Sequence, residues 1–200
     1  MAPRSPRSDA VPFPDSVATL AEDDEAFARF LTAIRRHLHR NPEIGMQEHD
    51  TARFIRTTLE RYGLDVKGPI AETGLFVDID GQRTGGHVGF RADIDALPAR
   101  DAKQVPYRSR RDGAAHLCGH DAHVAMGIGV ALMLHHRRRE LRGRARVFFQ
   151  PNEEGLPSGA PLMIQGGVLD GLDAVYALHV DPSLGVGRYG LLAGPVTAAS

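Results

Sequence analysis

Between His116 and His123 the chain reads His-Leu-Cys-Gly-His-Asp-Ala-His, a stretch of eight residues that holds the only cysteine and three of the ten histidines. A thiolate and an imidazole two positions apart project to the same side of an extended segment. Gly119 between them lets the backbone come close to whatever Cys118 and His120 hold. Two more ligand-type groups follow: Glu153-Glu154 directly after Phe148-Phe149-Gln150-Pro151, and His179 at the end of Ala174-Val-Tyr-Ala-Leu-His179. Sulfur, imidazole and carboxylate all bind zinc-like divalent ions at about 2.0–2.3 Å. Adjacent glutamates diverge in extended backbone, so one can bind metal while its neighbour faces the bound water as general base. Taken together, these residues indicate metal-dependent hydrolysis.

The elements around these groups must bring them together. Apolar positions Phe27, Phe30, Leu31, Ile34 and Leu38 predict a helix from Glu25, stopped by Asn41-Pro42. A second helix is expected over Glu48 to Tyr62, with Gly63 as a left-handed cap. Gly74–Asp80, His87–Asp93, Arg146–Gln150 and Asp173–Val180 read as strands, and 99–115 as a loop over the site. Asp121 reads as the N-cap of a buried helix through Leu134, and Ala160–Gln165 as a shorter helix. Strands alternating with helices imply an α/β sheet layered by helices. Asp93, Asp95, Glu153, Glu154 and His179 then lie just past the carboxyl ends of strands, where sites form in open α/β sheets. Cys118 and His120 would sit at a helix N-terminus, whose dipole favours the thiolate. His123 lies close enough to support the ligands. His37, His39, His49, His135 and His136 read as solvated or helix-end residues.

The totals bound the function. Apolar residues at 42% and charged residues at 24% describe an ordinary globular protein, and a net charge of −1 gives no footprint for nucleic acid. No apolar run reaches the eighteen or so residues of a membrane span. One cysteine fits a reducing compartment, so a cytoplasmic location is expected. The proline-rich start, residues 1–24, lacks the apolar segment of a signal peptide and reads as a mobile arm.

Several strings resemble one family, the amidohydrolase branch of the zinc-exopeptidase-like aminoacylases. That branch includes hippurate hydrolases, N-acyl-amino-acid amidohydrolases and plant auxin-conjugate hydrolases. The strings are Arg35-Arg-His-Leu-His-Arg-Asn-Pro-Glu43-Ile-Gly45 with Glu48, Thr73-Gly74, Arg91-Ala-Asp-Ile-Asp-Ala-Leu-Pro98, His116 to His123, and Phe149-Gln-Pro-Asn-Glu-Glu-Gly155. Met163-Ile164, Gly171 and Leu178-His179 complete a match over about residues 29 to 200, in family order. The resemblance implies a three-layer α/β/α fold around a mostly parallel mixed sheet. It implies that Cys118, His120, Glu154 and His179 bind a two-metal centre, with Glu153 as general base and acid. It also implies that Asp93, Asp95 and Asp121 orient imidazoles and hold loops. The two ions would be manganese or zinc, with cobalt or nickel as further choices, and the substrate a small N-acyl or N-aroyl amino acid.

Family members are much longer. The resemblance therefore implies that residues 25–200 form the first part of a catalytic domain. The inserted lid or dimerisation domain, the rest of that domain and one further ligand histidine would lie beyond it, and any homodimer would belong to the full-length form. Two rival readings follow: an inactive or weakly metal-binding remnant, and a hydrolase that uses Cys118 as nucleophile with a histidine base.

Overall fold

The computed structural model describes residues 11–191. Three helices precede the sheet, and the two longer ones are built as their patterns require. Helix α2 (Asp24–Arg40) starts where the Asp23 side chain accepts the Ala26 amide, with Asp24 and Glu25 in its first turn and His37, His39 and Arg40 in its last. Its Phe30, Ile34 and Leu38, spaced four apart, are buried. Helix α3 (His49–Arg61) buries Ile55 and Leu59, and the positive φ of Gly63 carries the chain out of it. Glu48 precedes α3 without capping it. The Glu43 carboxylate instead accepts the amides of Asp50 and Thr51, at 3.2 and 2.7 Å.

The expected N-terminal arm divides in two. Residues 1–10 lie outside the described residues, whereas 11–24 are packed. Ser16 caps helix α1 (Val17–Ala21), and Val11, Val17 and Leu20 join the main core. Phe13 meets the rings of Phe30 and Phe54 at 6.0 and 6.5 Å. Burying four apolar side chains offsets the cost of ordering a short segment that its prolines made look unstructured.

Five strands form one mixed sheet in the order β1-β2-β4-β3-β5: β1 (Val66–Ile70), β2 (Gly74–Asp80), β3 (Arg83–Asp93), β4 (Arg142–Gln150) and β5 (Ala174–Ala177). The β1–β2 and β2–β4 pairings are antiparallel, and β4–β3 and β3–β5 are parallel. Strand β1 is an edge strand, where Pro69 and its missing N–H are tolerated. Helix α4 (His120–His136) joins β3 to β4, and α5 (Gly159–Gln165) joins β4 to β5.

Neighbouring phenylalanines of β4 mark the two faces. Phe149 belongs to the main core with Val124, Ile128 and Leu132 of α4, and Gly127 leaves room for its ring. Phe148 packs on the other face with Met163 of α5 and Val168. The sheet thus lies between helices, the three-layer arrangement. Because α4 and α5 take opposite faces, β4 and β5 end up on either side of β3. The connections diverge at the carboxyl end of β3, which is the switch point where α/β sheets form sites. Among the described residues no helix is long and apolar enough to cross a membrane.

Candidate metal centre

Six side chains gather at that switch point. Asp93 is the last residue of β3 and Asp95 lies two beyond; Glu153 and Glu154 follow β4; His179 follows β5; His120 opens α4. The imidazole of His120 is fully buried. Its Nδ1 lies 3.0 Å from the Asp95 carbonyl and 3.2 Å from Asp95 Oδ1, so Nδ1 carries the proton and donates. That leaves Nε2 with a lone pair and no hydrogen-bond partner, although the atom is buried. Around this lone pair stand Asp93 Oδ1 at 3.6 Å, Glu154 Oε1 at 3.8 Å and Glu153 Oε2 at 3.9 Å.

His179 is fixed in the same tautomer. Its Nδ1 donates to the Val180 carbonyl at 2.8 Å, and its Nε2 faces Cys118 Sγ at 3.3 Å. Ligand atoms of Cys118, His120 and His179 lie within 4.8 Å of one another, and so do those of His120, Glu153 and Glu154. The two groupings share His120. A third grouping, Asp93, His120 and His123, meets the same distance limit, but His123 is already committed. Its Nε2 accepts the Val180 amide at 3.0 Å, so the proton sits on Nδ1 and is donated to Asp93 at 2.6 Å. Asp93, His123 and the Val180 backbone form a strut that sets where His179 emerges. Strand β5 itself ends at Ala177, short of the Asp173–Val180 span expected.

Electrostatically the pocket is too acidic for its own cations. Burial pushes the Asp95 carboxyl up, but hydrogen bonds from His120 and from the Glu154 and Glu153 amides hold it below its ordinary value. His120 loses solvation as well. Its hydrogen bond to Asp95 and the charges of Asp93, Asp95 and Glu154 nevertheless raise its pKa. The Cys118 thiol is pushed up to about 12 by burial, by its hydrogen bond to Glu154 and by the nearby Glu154, Glu153 and Asp93 charges. The helix dipole expected to favour the thiolate is therefore overruled by burial and by the carboxylates facing the sulfur, and an added cation would oppose both.

Asp121 behaves differently from the expectation attached to it. It is not the N-cap; Gly119, at φ 100°, occupies that position, and Asp121 sits in the first turn. Its carboxylate points away from the ligands to His39 Nδ1 at 2.6 Å and Arg35 Nε at 2.9 Å. The imidazole it orients is that of His39, a residue read as solvated that is in fact fully buried between Asp121 and Asp101. The loop 99–115 supplies Asp101 and Arg111, the latter bound to Glu43 and Asp50, so it packs along α2 and the start of α3.

One participant appeared in the sequence only as part of a family string, with no task attached. Glu48 is fully buried, accepts the Asn152 amide at 2.9 Å and receives the Thr73 hydroxyl at 2.7 Å. Nothing in its local pattern distinguishes it from a surface acid ahead of a helix.

Comparison with known proteins gives the chain relatives of one family. The family model described as Peptidase family M20/M25/M40 matches residues 89–194. An N-acetyl-L-cysteine deacetylase of Bacillus subtilis (strain 168) is 43% identical over 169 residues, which are 84% of this chain and 40% of that protein. An IAA-amino acid hydrolase (ILR1-like 5) of Arabidopsis thaliana is 36% identical, over 96% of this chain and 44% of its own length. A crystal structure described as a dinuclear metal binding peptidase from the M20 family, also from Bacillus subtilis, superposes with a TM-score of 0.82 at 42% identity. It covers 86% of this chain and 48% of that one. The chain thus spans less than half the length of these relatives.

Proposed function

The chain belongs to peptidase family M20/M25/M40, and from that premise we propose that its site binds two divalent cations and serves hydrolysis of the amide in an N-acyl or N-aroyl amino acid. Cys118, His120, Glu154 and His179 are the ligands and Glu153 is the general base. The observation that carries this reading is the buried, unpartnered Nε2 of His120, aimed into a pocket of thiol, imidazole and carboxylates whose negative charge the chain does not balance. An isolated polar atom in such a place costs roughly 1–3 kcal/mol, which ligation removes. The donor set fits the group: a thiolate with imidazoles suits zinc, and the carboxylates also admit manganese, cobalt or nickel. The solved relative described as dinuclear supports a count of two.

When bound, the cations lower the pKa of water and polarise the scissile carbonyl. The protein supplies the rest. Asp95 locks His120 in the tautomer that presents Nε2, and the Asp93–His123 strut fixes the segment that carries His179. Glu153 has 40% of its side chain exposed, against 25% for Glu154, so it is the freer of the pair to meet water and substrate. It takes a proton from the attacking water and returns it to the nitrogen of the leaving amine. Asp93, Asp95 and His123 orient; Asp121 anchors α4. The named activities of the relatives, on N-acetylcysteine and on IAA-amino acids, support acylated amino acids as the substrate class. Retention of Cys118 as a thiol ligand supports a reducing, cytoplasmic setting.

A thiol held at about 12 is a poor nucleophile, which weighs against the cysteine-hydrolase reading. The test is hydrolysis of hippurate and N-acetyl amino acids by the chain loaded with zinc or manganese, beside its Glu153→Gln variant. The variant should keep its metal and lose about 10²–10⁴ in rate. Equal turnover by both forms removes Glu153 from the reaction, and metal binding without turnover by either leaves the non-catalytic reading standing.

A further inference from the structure

Resting on the reading of Glu153 and Glu154 above, we propose that Glu48 is the positioning residue that fixes the turn carrying both glutamates. Two buried carboxylates clamp that turn from opposite ends. Asp95 Oδ2 accepts the amide of Glu154 at 3.0 Å, and Glu48 Oε1 accepts the amide of Asn152 at 2.9 Å. Glu153 lies between the two tethered amides, so its backbone is held on both sides while its side chain stays open.

The turn needs a tether. Asn152 sits at φ 45°, a left-handed conformation uncommon for a residue with a Cβ, although asparagine takes it more readily than most. The Asn152 side chain donates to the Pro157 carbonyl at 2.7 Å, and a Cβ at Gly45 or Gly155 would collide with Asn152 Oδ1. Gly45 lies three residues before Glu48. The same connection between α2 and α3 therefore makes room for Asn152 and supplies its acceptor. Thr73, ahead of β2, fixes the second oxygen of Glu48 at 2.7 Å, so the acceptor cannot swing away. Burying a carboxylate this deeply is costly unless its oxygens find hydrogen-bond donors, and both oxygens of Glu48 do. Here it aligns the backbone on which the base and one ligand stand, about 100 residues downstream.

The test compares Glu48→Met, which fills the volume without an acceptor, with Glu48→Gln, which keeps one. Burial raises the Glu48 pKa, with Asp95 acting in the same direction, so the amide resembles a state the site already accommodates. In the metal-free chain, Glu48→Met should speed hydrogen exchange at the Asn152 and Glu154 amides while protection across α4 and β4 stays as in wild type. Titrated with cobalt(II), it should bind about 10- to 100-fold more weakly, the usual loss when a group behind a ligand is removed. Glu48→Gln should restore both. Adding Glu154→Gln to Glu48→Met should weaken binding little further, because the ligand is already misplaced.

If Glu48→Met unfolds, Thr73→Val gives the second reading. It leaves Glu48 in place but unanchored, and should speed exchange at Asn152 and weaken cobalt binding by a smaller factor. Wild-type exchange and affinity in whichever variant folds overturns the proposal. Failure of the metal reading looks different: the unmutated chain and its Glu154→Gln variant would then take up cobalt equally, whatever Glu48 does.

Discussion

Two buried histidine–carboxylate pairs flank the first turn of α4, and they face opposite ways. His120 pairs with Asp95 from the sheet, and its neighbour Asp121 pairs with His39 from α2. The contacts are alike; the surroundings are not. Around Asp121 the charges close: Arg35 and His39 meet it, His39 also meets Asp101, and Asp101 has Lys103 at 3.6 Å and the amides of Lys103 and Ser109. Around His120 they do not. Asp93, Asp95, Glu153 and Glu154 all stand within 4 Å of it, and Arg91 reaches Asp93 from the outer side. A neutralised network is a brace. An acidic one with an imidazole lone pair aimed into it is a receptor for cations, and the same residue types serve both ends.

The brace breaks first. Asp121→Asn leaves His39 and Arg35 facing an amide, and removing one partner of a buried pair costs about 3–5 kcal/mol. Thermal unfolding of the metal-free chain should fall accordingly, and a change under about 1 kcal/mol means the pair is idle. Asp121 is held below its ordinary value despite burial, by His39, His116 and Arg35. Its contribution is therefore present above the unfolded pKa of 3.8 and fades as pH falls through the lower folded value.

Titration separates the two regions further. His116 is buried with both ring nitrogens unpartnered, and burial depresses its pKa from 6.5 to about 4. Below 6.5 the unfolded chain takes a proton the folded one refuses, so stability drops between pH 6.5 and about 4, by roughly 3 kcal/mol in all. His120 and Cys118 act on the other side. Their folded pKa values are raised, so their contribution is whole below the unfolded values of 6.5 and 9.0 and is lost as pH rises. The metal-free chain should be most stable near pH 6.5. His116→Phe should flatten the acid limb, and zinc should erase the alkaline one by replacing the protons. An alkaline limb that zinc leaves unchanged dissociates those two residues from the metal.

How much of this was legible in sequence depends on range. Strand β2 follows the alternation of Gly74–Asp80 to the residue, and α2 follows its four-residue spacing, because both patterns are local. Strand β1 escaped notice because Gly68 and Pro69 break any strand pattern, and only its edge position explains them. His39 and Asp121 are 82 positions apart, so nothing near either marks the pair. The Cys118 thiolate shows the reverse error. A local dipole argument was correct in sign and overruled by burial and by carboxylates delivered from the ends of β3 and β4. Glu48 belongs with His39: an acid whose task, holding Asn152, exists only once the sheet has formed.

The smallest expected effect decides the comparison most cleanly. Glu154→Gln makes the same carboxylate-to-amide change as Asp121→Asn. Yet Glu154 is partly exposed, and its side chain adds to an excess of negative charge around His120 and Cys118. In the metal-free chain its loss relieves repulsion, so stability should move by no more than about 0.5 kcal/mol, and upward if at all. With zinc present the order reverses: the variant should gain less from the metal than wild type does, because a charged ligand has become a neutral one. A metal-free destabilisation as large as that of Asp121→Asn makes Glu154 a second brace, and the contrast between the two sides of α4 then dissolves.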